Sequence, residues 1–124
     1  MTSGDSSQAE PQGGQTVSVT VEKHGGAALV MVSGDIDMVT APDFEKALIN
    51  TLRERPETLV VDLTGVAFLG SAGLTALVAA RQEAGQATVM RVVAKSNATA
   101  RPLQLTGLDQ EIPLFATREE ALGD

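Results

Sequence analysis

The chain has no cysteine, tryptophan or tyrosine, and only one histidine, His24. Without cysteine there can be no disulfide switch, no thiolate nucleophile and no thiolate-held metal. A lone histidine cannot build a His-rich metal site, so no metal or cofactor is expected. Aromatic residues make up 2% of the chain, which leaves the core to Val, Leu, Ile, Ala and Met. The 9 Lys and Arg are outnumbered by 16 Asp and Glu, for a net charge of −7. Those basic residues are scattered and no row of stacking aromatics accompanies them, so nucleic acid is not an expected partner. The same charge balance argues against an anionic membrane surface. No apolar run approaches the length of a membrane span, and the N-terminus has neither a basic n-region nor an apolar h-region. A cytoplasmic location is therefore the expectation.

What is present suffices for one domain. The chain is 124 residues long and 43% hydrophobic, enough for a real core but without room for separate catalytic and regulatory units. Residues 1–15, MTSGDSSQAEPQGGQ, contain no Leu, Ile, Val or Phe. Too little apolar area is available there to offset ordering entropy, and a disordered tail is predicted, with the folded domain spanning 16–124.

From Thr16 the pattern alternates, with Val17, Val19 and Val21 on one face of a half-buried strand. His24-Gly25-Gly26 turns the chain into a second strand, Ala28 to Val32, closing a hairpin. After the small-residue turn Ser33-Gly34-Asp35-Ile36-Asp37, Thr40 is a candidate N-cap. Phe44, Ala47, Leu48 and Leu52 then mark one apolar face of a helix that Pro56 ends. Thr58 to Leu63 is a near-continuous β-branched and apolar run, the sign of a strand covered on both faces, with a turn at Thr64-Gly65. A second helix is predicted from near Ser71 to Gly85, followed by a strand over Ala87 to Ala94. A third helix has its first turn around Arg101-Pro102, because proline is disfavoured deeper inside a helix. Ile112 to Ala116 reads as a short edge strand, and Thr117 to Glu120 as a capping box opening a last helix. A hairpin followed by alternating units implies an α/β fold: a mixed, mostly parallel sheet with about four helices.

The most informative stretch is Asp62 to Leu77, DLTGVAFLGSAGLTAL. A buried strand runs through a short loop into a helix that opens with Gly70, Ser71, Ala72 and Gly73. Small side chains there permit close approach of another backbone and leave helix-start amides facing outward. The plain alternative is that Ser71 is only an N-cap and the glycines only pack. Asp35 and Asp37 are expected near Ser71, since both segments follow neighbouring parallel strands.

These residues resemble those of STAS-domain anti-sigma factor antagonists. The likeness is carried by Gly34-Asp-Ile-Asp, by VVDLTGVAFLGSAGLTAL and by SNATARPLQLTGLDQEIPLFATREEAL, and it covers Thr16 to Leu122 by order of elements. The resemblance implies a non-enzymatic module that binds an anti-sigma factor, itself a serine kinase, and so frees a sigma factor. By the same likeness the kinase phosphorylates Ser71 to end the complex, and a serine phosphatase reverses this. Asp35, Asp37, Gly70, Ser71, Ala72, Gly73, Leu74 and Thr75 would make the partner-binding surface. The sequence departs from the family at Gly70, where an acidic residue is usual, so a docking module without phosphorylation is the alternative.

Enzyme readings fit less well. A serine hydrolase elbow needs Gly-x-Ser-x-Gly, but position 69 is Leu, and His24 precedes the serine in a hairpin turn. Asp35, Asp37 and Asp62 with Lys95 suggest a phospho-aspartate receiver, yet the acid pair follows the second strand of a hairpin. No complete phosphate-binding glycine motif is present.

Overall fold

The computed structural model describes residues 17–123, so the segment read as a disordered tail, together with Thr16 and Asp124, lies outside the described residues. Five strands form one sheet in the order β1 (Val17–His24), β2 (Ala27–Ile36), β3 (Thr58–Leu69), β4 (Val89–Val93) and β5 (Leu114–Phe115). Only β1 and β2 are antiparallel. The pairs β2–β3, β3–β4 and β4–β5 are parallel. The crossovers carry α1 (Ala41–Leu52), α2 (Ser71–Ala84) and α3 (Asn97–Leu105), and α4 (Arg118–Leu122) follows β5.

The helices divide between the faces of the sheet. Phe44 and Leu48 of α1, Leu77 and Ala80 of α2 and Leu103 of α3 share one core cluster with Val30, Val61 and Val92 of the sheet. On the other face, Leu29, Val60 and Val93 are covered by Ala121 of α4. Burial on both faces explains the apolar run that opens β3.

Both long strands exceed their predicted lengths. β2 continues through Gly34-Asp35-Ile36, which the sequence presents as a turn, and β3 continues through Thr64-Gly65 to Leu69. The reason is visible in the register, which slips between Met31 and Ser33 and again between Gly34 and Asp35. Each slip adds a residue to β3, as a bulge does, and a bulge tolerates residues that otherwise read as breakers. At the first, the strands come so close that a Cβ on Gly65 would lie 2.8 Å from Ser33 Cβ.

Other expectations also shift. Val17 and Val19 pack on the core, but Val21, nearer the hairpin turn, lies beyond it and is exposed. The fourth strand is shorter, Val89–Val93, and the edge strand shrinks to Leu114–Phe115. Pro102 sits inside α3, which begins at Asn97 rather than at Arg101. Proline there forfeits one helical hydrogen bond, and buried Thr99 and Leu103 hold the turn on either side of it. α4 starts as predicted: Thr117 Oγ1 accepts from Glu120 N, and Glu120 Oε1 accepts from Ala116 N.

Candidate functional site

The strand ends and the start of α2 meet at one edge of the molecule. Ile36 pairs with Leu69 as the last residue of each strand, and Gly70 N–H donates to Ile36 O at 2.9 Å. Gly70 is extended (φ −87°, ψ 179°) and is itself the N-cap, so Ser71 is the first helical residue and not the cap. Gly73 N–H and Leu74 N–H return to Gly70 O at 3.0 and 3.2 Å. The amides of Ser71 and Ala72 are left over at the positive end of a 14-residue helix. Ser71 is exposed, and no hydrogen bond engages its hydroxyl among the described residues; only its carbonyl is used, accepting from Thr75 Oγ1 at 3.1 Å. The serine is thus a free alcohol on the surface.

The two glycines beside it do different work. Gly73 is buried, and a Cβ there would come 2.6 Å from Leu69 Cδ1 and 2.7 Å from Ile36 Cγ2. Its missing side chain lets α2 sit directly on the strand ends, which sets the height of Ser71. A Cβ on Gly70 would meet the Phe68 ring at 2.9 Å. Phe68 is 52% exposed, so that ring lies over position 70 without being locked there.

Asp37 is half-buried and engaged. Its Oδ1 accepts from Val39 N at 2.9 Å and Thr40 N at 3.1 Å, which ties down the loop into α1. Thr40 Oγ1 in turn donates to Asp35 O at 2.7 Å and accepts from Asp37 N at 2.9 Å. Asp35, half-buried, pairs in register with Phe68. Both acids therefore adjoin the strand ends that carry Gly70 and Ser71. Ala72 and Leu74 are half-buried and packed against the core, while Thr75 is exposed one turn beyond Ser71.

Sequence reasoning missed three residues at this edge. Met38 is 81% exposed, Val39 68%, and Phe68 completes the group. Apolar residues near strand ends give no sign of exposure in the sequence, and only the fold shows that no described residue covers them. Met38 flanks a cleft shared with Ala72 and Thr75, the residues next to Ser71 and one turn beyond it.

Asp62 and His24, which also figured in the enzyme readings, lie elsewhere. Asp62 is 1% exposed on the α4 face, where Oδ1 accepts from Thr64 N at 2.9 Å and Oδ2 pairs with Arg118 Nε. Burial pushes its carboxyl up, but hydrogen bonds from Thr64 and the Arg118 guanidinium outweigh this and hold it below the ordinary value. Its acceptors are occupied by these structural partners. His24 pairs with Glu22 at the far end of the ten-residue strand β2, about 30 Å from Ser71 by strand length. No group of three or more acids or histidines is placed to hold a metal among the described residues, nor is any described helix long and apolar enough to cross a membrane.

Comparison with known proteins identifies the family. The STAS domain family profile matches residues 18–121. Anti-sigma-F factor antagonist RsfB of Mycobacterium tuberculosis is 41% identical over 107 residues, covering 86% of this chain and 88% of that protein. A crystal structure of an anti-sigma factor antagonist from Mycobacterium paratuberculosis superposes with a TM-score of 0.85 at 46% identity, covering 88% of this chain and 93% of the other. The unphosphorylated form of the anti-sigma factor antagonist SpoIIAA shares the fold at TM-score 0.66 and 14% identity, over 86% of this chain and 96% of that one. The chain belongs to the STAS-domain family of anti-sigma factor antagonists.

Proposed function

We propose that this protein docks through the start of α2 onto an anti-sigma factor that is a serine kinase, and thereby releases a sigma factor. Phosphorylation of Ser71 ends the complex, and a serine phosphatase restores it. The protein acts in the cytoplasm, without catalysis of its own and without nucleic acid or membrane as partner. The observation that carries this reading is the exposed Ser71 hydroxyl, uncommitted among the described residues, at the edge that also bears exposed Met38, Val39 and Phe68. An alcohol is readily accommodated in a dry contact of that kind. A phosphate is not: it adds about −1.5 to −2 charges and a tightly held water shell. Within its own helix the phosphoserine remains comfortable, facing the Ser71 and Ala72 amides at the positive helix end. At the interface, desolvation and repulsion from the acids at Asp35 and Asp37 add up to roughly 3–5 kcal/mol, or about a hundred- to several-thousand-fold in affinity. The contact surface comprises Asp35, Asp37 and Gly70 to Thr75. Gly73 serves it from below by setting the height of the helix.

The test is binding of the anti-sigma factor to Ser71→Ala and Ser71→Glu variants, by calorimetry. Ser71→Ala retains affinity and Ser71→Glu loses it. Equal affinities remove Ser71 from the switch. They would favour a second reading, constitutive docking without phosphorylation, for which Gly70 speaks by lacking the acid usual in the family.

A further inference from the structure

A groove of about 670 Å³ runs between α1 and α2, and the docking surface around Ser71 meets it only at Ala72 and Thr75, leaving its α1 wall without a role. Its walls are largely apolar where the helices face each other: Ala41, Pro42 and Ile49 from α1 and Ala72 from α2, with the Thr75 hydroxyl turned to Ser71 O. On the α1 side it is edged by Lys46 and Arg53, seven residues apart and hence on one stripe of the helix. Both are exposed, and neither has an ion-pair partner among the described residues. In a chain of net charge −7, two unpaired cations along an apolar trough are a local inversion of sign. Glu45 also lines the groove, beside Lys46. At one end the groove opens at Met38 and Ala72, next to Ser71, so it continues the docking edge.

We infer that this groove is a second docking element, which receives an amphipathic helix of the same partner and helps decide which anti-sigma factor is bound. An apolar trough edged by cations matches a helix with an apolar stripe and carboxylates about two turns apart, the ordinary helix-in-groove mode. The inference rests on the docking reading above. It differs in location: Ser71 carries the phosphate at the tip, while the groove grips along the flank. Charges at its edge speed encounter, and the apolar floor slows release.

The test uses the full chain and the anti-sigma-F factor of Mycobacterium tuberculosis as probe, by surface plasmon resonance. Lys46→Glu/Arg53→Glu, both exposed and safe for folding, lowers affinity about ten-fold or more and reduces the salt dependence of association. Ile49→Ala raises the dissociation rate several-fold at unchanged secondary structure. A Ser71→Glu arm separates the two claims. If Ser71→Glu abolishes binding while the groove variants bind as wild type, the groove inference is overturned and the switch survives. Conversely, loss in the groove variants alone sustains the groove and removes the switch. No binding by the wild-type chain overturns both. Self-association that Lys46→Glu/Arg53→Glu abolishes would assign the groove to a second copy and overturn the inference.

Discussion

Replacing Gly73 by alanine tests whether the height of Ser71 is set by packing. In an exposed helix this substitution would stabilise by about 1 kcal/mol, since glycine is the poorer helix former. Here the added Cβ meets two side chains at once, Leu69 Cδ1 at 2.6 Å and Ile36 Cγ2 at 2.7 Å. Neither has room to retreat, because Ile36 is 0% and Leu69 4% exposed. Overpacking of a tight core costs about 1–3 kcal/mol, and two simultaneous clashes belong in the upper part of that range. The net expectation is a loss of about 1–2 kcal/mol, seen as a fall of about 5–10 °C in the thermal midpoint. Urea unfolding followed by circular dichroism measures it directly, with an unchanged slope showing that only stability has moved. Gly70→Ala is the paired control. Its Cβ meets the half-exposed Phe68 ring, which can swing away, so a loss of about 0.5 kcal/mol is expected from the N-cap alone. If Gly73→Ala were as stable as wild type, α2 would not be seated on the strand ends in the way described.

Two further outcomes follow from the same structure. Phe68→Asp places a charge at the edge that bears Ser71 and should weaken anti-sigma factor binding about ten-fold or more, with thermal stability unchanged. Asp62→Asn should lower the denaturation midpoint and flatten its acid limb. The Asp62 carboxyl is held below its unfolded value, so the unfolded state binds the proton first as pH falls. The stabilisation is complete above about pH 4 and is lost as pH drops through the folded value. A variant with the wild-type acid limb would remove Asp62 from that role.

Most of the fold was legible because its signals are local. The alternation of β1, the β-branched opening of β3 and the capping residues of α4 each name their element. The strand extensions were not legible, because Gly34, Asp35, Thr64 and Gly65 carry turn chemistry. Their neighbours Val17 and Val66 hold Gly34 in the sheet from both sides, and pairing overrode propensity. Pro102 misled for a similar reason. The candidate site divides in the same way. Ser71 and its glycines stand out as small residues at a strand-to-helix junction. The exposure of Met38, Val39 and Phe68 is a property of what fails to cover them, and the α1–α2 groove joins segments some thirty residues apart along the chain, as Lys46 and Thr75 show.

The five-residue α4 has a bearing on how the protein is made. Too short to persist alone, it is stable only once Arg118 reaches Asp62 and Arg91 Nη1 donates to Ala121 O at 2.8 Å. It is also the last described element to leave the ribosome. Until it emerges, Leu29, Val60 and Val93 form an open greasy wall on a nascent sheet whose opposite side is already closed. Proteolytic clipping near Ala116 would recreate that wall in the finished protein and leave it prone to aggregation.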